Sequence, residues 1–121
     1  RHGVPRAVVT SSNRAKMACV YRVRPELTAR FDAILVAEDL GRSKPHPDGY
    51  LRAAERLGVS PTRCVVFEDS FTGLEAGRRA GGAVVGLATT NPAEAIADRC
   101  DRVIDDFRTF TVSDMVSLLN K

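Results

Sequence analysis

Four side chains in this sequence are of types that could together hold a phosphoryl group: Thr10, Lys44, Glu68 and Asp69. Each follows a short apolar run. Thr10 ends AVVT and leads into Ser11 and Ser12. Lys44 lies in the loop EDLGRSKPHPDG after FDAILVA, and Glu68 and Asp69 follow CVVF. A hydroxyl and neighbouring backbone N–H groups can bond phosphate oxygens, and a helix starting after Ser12 would favour an anion at its N-terminus. A lysine offsets charge on the phosphoryl group. Adjacent carboxylates offer the hard oxygen ligands that suit Mg2+, which typically takes one or two protein carboxylates and leaves its other positions to water and phosphate. Alone, the Glu68–Asp69 pair is equally compatible with a solvated strand end and a helix cap, and Thr10 with an N-cap in TSSN. The set lacks a nucleophile.

These groups share a site only if the elements before them lie side by side. Ala7 to Thr10, Phe31 to Ala37, Cys64 to Phe67, Ala83 to Leu87 and Arg102 to Ile104 read as strands, short and rich in β-branched residues. Helical segments separate them. Met17, Val20 and Tyr21 share one face after Asn13, and Pro25 breaks that helix. Pro47 suits the first turn of the next, where Tyr50, Leu51, Ala54 and Leu57 form an apolar stripe and Gly58 a C-terminal cap. The helix after Asp69 starts at Ser70, or at Thr72 with Glu75 closing a capping box. Its Gly73, Gly77 and Ala80 form a small-residue face that lets it lie close to a sheet. Asn91, Pro92 and Glu94 open a helix running to about Arg99, and Val112, Met115 and Leu119 mark one face of a terminal helix. Strands alternating with helices imply parallel βαβ units in a doubly wound α/β domain with helices on both faces. In a parallel sheet the four polar groups project from one edge, where such folds bind ligands.

Composition narrows the alternatives. The 121 residues are the size of one domain, taken as 1–121, with 44% hydrophobic and 27% charged residues. A net charge of +3, with scattered basic residues and no basic run interleaved with aromatics, gives little support to nucleic-acid binding. Cys19, Cys64 and Cys100 lie far apart without metal-ligand spacing. They are expected to be reduced and mostly buried thiols, Cys64 in the core, in a cytoplasmic protein. No stretch has a membrane-spanning or signal-peptide pattern. The chain begins at Arg1, and RHGVP reads as a helix end running into a strand, so an upstream segment is expected.

AVVTSS, SKPHPD and VVFEDSFTGLEAGRRAG resemble the second, third and fourth motifs of the haloacid dehalogenase superfamily, the last two most closely those of its β-phosphoglucomutase-like phosphatase branch. The resemblance covers Arg1 to at least Thr90. It implies that Thr10 and the Ser11 N–H bond the transferring phosphoryl group, and that Ser12, Asn13 and Arg14 help hold the substrate's phosphate. It implies that Lys44 neutralises the phosphoryl group and the attacking carboxylate, and that Asp69, with Glu68, binds Mg2+ directly or through water. Ser70 would order that loop and cap the following helix. His46, between two prolines, is taken as a loop residue, and Glu38 and Asp39 as surface or helix-turn residues.

The family's first motif, D-x-D, is absent from these residues. Its first Asp is the family's nucleophile and its second the general acid/base. The substrate-selecting cap of this branch also lies outside the chain. The 121 residues therefore resemble the C-terminal portion of a core domain, inactive alone. The missing first strand would sit between the strands ending at Thr10 and Phe67, leaving two long apolar edges that face a gap and invite misassembly. For the parent protein, the resemblance implies hydrolysis of a small phosphomonoester such as a sugar phosphate. Phosphosugar mutation by the same machinery and a non-catalytic, degenerate member remain alternatives. A two-component receiver domain has similar parts in the order acids, hydroxyl, lysine. Here the order is hydroxyl, lysine, acids, which argues against it.

Overall fold

The computed structural model describes residues 4–106, 108 and 110–119. The helix end read at RHG and the side chain of Val112 lie outside the described residues. The strands are β1 (Ala7–Val9), β2 (Ala33–Leu35), β3 (Val65–Glu68), β4 (Ala83–Leu87) and β5 (Arg102–Ile104). The helices are α1 (Arg14–Val23), α2 (Leu27–Arg30), α3 (Asp48–Leu57), α4 (Phe71–Ala80), α5 (Ala93–Ile96) and α6 (Val112–Leu119). Every strand pairing is parallel, as expected of strands separated by helices.

The strands form two sheets. β1 pairs with β2, Val8 opposite Ile34, and β3, β4 and β5 pair in that order, Val66 opposite Val84 and Gly86 opposite Val103. Among the described residues β1 and β3 are end strands of their sheets, and between the sheets lies a cleft of about 820 Å3 lined by Val8, Val9, Val65 and Phe67. The expected gap is there, although its edges are three and four residues long rather than extended. Met115 and Leu119 of α6 line the same cleft, and Phe110 meets Phe67 edge-on at 5.6 Å between ring centroids.

The two sheets are unequally packed. Leu74 from α4, Val84 from β4, Ile96 from α5 and Cys100 form one buried cluster, with Val103 against it. α4 approaches this sheet closely because Gly77 has no side chain. A Cβ there would lie 3.0 Å from Val66 Cγ1 and 3.2 Å from Val84 Cγ2, so these side chains would have to give way by a few tenths of an ångström. In β1, by contrast, all three residues are only half-buried, and α1 buries none of its residues.

Several expectations are corrected. The buried positions of α3 are Gly49, Ala53 and Ala54, whereas Leu51 is 39% exposed, because the helix turns its Ala53–Ala54 side to its neighbours. Val20 of α1 is also exposed. Only Cys100 is a buried thiol. Cys19 is exposed, and Cys64, just ahead of β3, is half-exposed with its Sγ directed at the Ser60 carbonyl. β2 is shorter than Phe31 to Ala37 because the Asp39 carboxylate accepts the Val36 N–H at 2.9 Å, turning the chain into a 3-10 turn at Ala37–Asp39. After Ile96 the helix likewise tightens into a 3-10 turn, Ala97–Arg99. Pro47 caps α3 from just outside its first turn, and Gly58 ends that helix in the left-handed region (φ 72°), which a residue without Cβ adopts at little cost. Among the described residues, no helix is long and apolar enough to cross a membrane.

Candidate active site

The carboxyl ends of β1 and β3 flank the cleft, and the loop after β2 reaches across it. Lys44 lies in that loop. Its ammonium donates to the Val9 carbonyl at 3.3 Å and forms an ion pair with Glu68 Oε2. The lysine therefore ties the end of β1 to the end of β3. Lys44 and Glu68 side chains are only 14% and 10% exposed, so their attraction acts where water screens it little.

The Lys44 loop is itself fastened to α3. Asp48 Oδ2 accepts the Gly41 N–H at 2.7 Å, the Arg42 N–H at 3.3 Å and the Arg52 Nε–H at 2.8 Å. Partial desolvation pushes the Asp48 carboxyl up, but these donors and the Arg52 charge hold it below the usual carboxylate value. His46 Nδ1 accepts the Asp48 N–H at 3.2 Å, which makes His46 part of the loop's framework, as expected.

Glu68 is almost enclosed. Oε2 accepts from Lys44 and from the Tyr50 hydroxyl, while Oε1 faces the Asp69 N–H at 3.3 Å and the Ser70 hydroxyl at 3.5 Å. The carboxylate rests against the first turn of α4, where a Cβ on Gly73 would collide with it. Burial first, and then the charge of Glu68, hold the Tyr50 phenol far above its usual pKa, so it remains a donor. Ser70 caps α4 by accepting the Gly73 N–H at 3.1 Å, settling the helix start at the first of the two expected positions.

Asp69 is steadied by the loop after β4. Its Oδ2 accepts from the Thr90 hydroxyl at 2.9 Å, and its carbonyl from the Asn91 amide at 3.2 Å. Asn91 thus holds Asp69, and Pro92 occupies the N-cap position of α5. Thr90 and Tyr50 had no expected role at the site. Their signal was their position alone: one follows a strand on the site edge, and the other lies six residues after Lys44.

On the opposite flank, Thr10 N–H donates to the Leu35 carbonyl at 3.0 Å, and Thr10 Oγ1 accepts the Ser12 N–H at 3.1 Å. Ser11 is exposed at the loop tip. Asn13 caps α1 by accepting the Lys16 N–H at 2.8 Å. Arg14 is turned to the acidic 3-10 turn, its N–H to Glu38 Oε1 at 2.8 Å and its guanidinium 3.4 Å from Asp39 Oδ1. The structure therefore brings Lys44 and Glu68 into contact, puts Asp69 beside Glu68, and sets Thr10 just beyond the Val9 carbonyl that Lys44 holds. Arg14 is engaged with Glu38 and Asp39 instead.

No group of three or more His, Cys, Asp or Glu side chains suited to a metal occurs among the described residues. The two adjacent carboxylates nonetheless fit Mg2+, whose protein ligands are few and oxygen-bearing. Asp69 is the one with room for it, since both Glu68 oxygens already have two donors each.

A family model for haloacid dehalogenase-like hydrolases matches residues 1–81. The chain is 41% identical over 95 residues to validoxylamine A 7'-phosphate phosphatase of Streptomyces hygroscopicus subsp. limoneus, covering 78% of this chain and 44% of that protein. It is 39% identical over 97 residues to β-phosphoglucomutase of Mycobacterium bovis, covering 78% and 37%. In three dimensions it is similar to a HAD hydrolase of family IA, variant 3, from Entamoeba histolytica HM-1:IMSS, with a TM-score of 0.87 and 28% identity, covering 95% of this chain and 53% of that one. The chain spans about half the length of these proteins or less.

Proposed function

This chain belongs to the haloacid dehalogenase-like hydrolases, and on that premise we propose that it forms the lysine- and metal-bearing part of a Mg2+-dependent hydrolase of small phosphomonoesters, sugar phosphates among them. The observation that carries this reading is the meeting of Lys44 and Glu68 over the cleft, with Thr10 and Asp69 at the flanking strand ends. A cation, a hydroxyl and two carboxylates around one cleft suit a trianionic transition state better than a neutral substrate.

The nucleophile is an aspartate of a D-x-D segment outside these 121 residues. Its carboxylate oxygen attacks phosphorus in line, the bond from phosphorus to the ester oxygen breaks, and the second aspartate protonates the departing alcohol. Water then hydrolyses the aspartyl-phosphate, releasing inorganic phosphate. The Thr10 hydroxyl and the Ser11 N–H hold phosphoryl oxygens, and Ser12, Asn13 and Arg14 border the substrate's phosphate. Reaching it requires the Arg14 guanidinium, 65% exposed and 3.4 Å from Asp39, to leave that carboxylate. Lys44 offsets the charge that accumulates between the nucleophile and the phosphoryl oxygens. Asp69 would ligate Mg2+ directly, and Glu68 would join through a water that takes the place of one of its present donors; when bound, the ion supplies charge neutralisation as a Lewis acid.

Likeness to a β-phosphoglucomutase keeps one second reading, in which the phosphoryl group returns to a sugar hydroxyl instead of passing to water. The test is turnover of a panel of sugar phosphates and an aryl phosphate by the full-length parent, with Mg2+ and with a chelator. Mg2+-dependent release of inorganic phosphate and an acid-stable phosphoenzyme fragment containing the D-x-D segment are expected. Interconversion of sugar phosphates without phosphate release selects the mutase, and absence of any turnover by a parent containing D-x-D overturns both.

A further inference from the structure

We propose that Tyr50 is a positioning residue for Lys44, its hydroxyl pinning Glu68 and its ring bracing the lysine ammonium so that cation and carboxylate act as one unit across the cleft. The inference rests on the hydrolase reading for its catalytic consequence, while its geometry stands independently of that reading. Lys44 Nζ lies 5.3 Å from the centroid of the Tyr50 ring, and the Tyr50 hydroxyl donates to the same Glu68 oxygen that accepts from Lys44. Lysine presents a point charge on a flexible four-carbon stem, which one carboxylate does not fix in direction. Here the aromatic ring, the Val9 carbonyl and Glu68 together define where the ammonium sits. Two of its three N–H donors are thereby used, which leaves one for a reacting group.

Tyr50 is well placed to act as a brace because α3 is packed closely at the residue before it. The preceding Gly49 is buried at the start of α3, where a Cβ would lie 2.7 Å from Val9 Cγ1 and 3.2 Å from Leu40 Cδ2. The first turn of α3 is thus pressed on the β1 side, while the Tyr50 hydroxyl reaches the end of β3. Tyr50 also lines the cleft, and a phenylalanine would serve that packing role equally well. Only the pin on Glu68 requires the hydroxyl.

The experiment compares Tyr50→Phe with the wild-type full-length parent. The expected result is a roughly tenfold fall in kcat, with KM within about twofold and a similar melting temperature. In a Lys44→Met background the same substitution should produce no further loss, because the two act through one interaction. Full kcat in Tyr50→Phe, or an independent loss in the Lys44→Met background, overturns the proposal. Failure of the hydrolase reading is separable, since a wild-type parent without turnover refutes that reading alone. Nitrogen-15 NMR of lysine side chains then decides the role of Tyr50. A Lys44 ammonium signal protected from solvent exchange in wild type and broadened in Tyr50→Phe supports it. A signal unprotected in wild type, or identical in the two proteins, overturns it.

Discussion

The β3–β4–β5 sheet and the β1–β2 pair contribute comparable chemistry to the candidate site, yet they are built differently. The three-stranded sheet has its own core: Leu74, Val84, Val85 and Ile96 are at most 1% exposed, and β4 is paired on both edges. The two-stranded pair buries Leu35 of β2 and is otherwise held by α3, by the Lys44 loop and by the polar bridge to Glu68. Its β1 residues are half-buried beside the cleft. One half has a closed core of its own, whereas the other depends on what fills the cleft and on the bridge that spans it. Under the proposed function, groups drawn from both halves make turnover a report on their docking.

The largest effects should come from removing one group on each side. In the full-length parent, Lys44→Met should reduce kcat by roughly 100- to 1,000-fold, the loss seen when a single charge-stabilising donor is removed from a transition state. Asp69→Asn should raise the Mg2+ concentration for half-maximal activity by roughly tenfold or more. Steady-state kinetics across a Mg2+ series check both. Near-normal activity in either variant breaks the two-sided account.

Packing effects should separate the halves next. Leu74→Ala should cost about 2–5 kcal/mol in denaturant unfolding, because a fully buried leucine leaves a cavity. Val8→Ala should cost about 1 kcal/mol or less in the isolated chain, where its methyl groups face the cleft, and about 2 kcal/mol in the parent if a strand covers it. Equal costs for Val8→Ala in the two proteins would mean that the cleft is not where the rest of the parent docks.

The smallest effect concerns pH and the loop that carries Lys44. Asp48 has a folded-state pKa below its ordinary value, so its contribution is present above the usual carboxylate range and is lost as pH falls through the depressed value. The melting-temperature difference between wild type and Asp48→Asn should therefore shrink as pH is lowered from neutrality toward 3. A difference that grows on acidification would show that the clasp does not depend on the ionised carboxylate.

Much of this organisation was legible in residue type and spacing. Gly58 and Ser70 announced a helix end and a helix start, and the β-branched runs located all five strands to within a few residues. Gly73 and Gly77 read correctly as a small-residue face, though the sequence did not reveal that Gly73 makes room for Glu68 itself. The misses are tertiary. Leu51 fits an apolar stripe, but which side of α3 is covered depends on neighbours that periodicity does not specify. Strand β2 was overread because a side-chain carboxylate, Asp39, captures the Val36 N–H that a longer strand would have used. At the site, Thr10, Lys44, Glu68 and Asp69 stood out as chemical types, while Tyr50 read as part of an apolar stripe, Asn91 as part of a helix start and Thr90 as nothing in particular. They became visible only as donors to Glu68 and Asp69.

Residue-resolved hydrogen exchange of the isolated 121-residue chain tests most directly the claim that one half is self-sufficient and the other awaits a strand. The β4 amides, such as Val84 and Val85, should be protected. The Val9 amide and the Thr10 amide bonded to the Leu35 carbonyl should exchange nearly as fast as in an unfolded segment. Equal protection of β1 and β4 in a monomer that unfolds in a single cooperative transition would contradict the account.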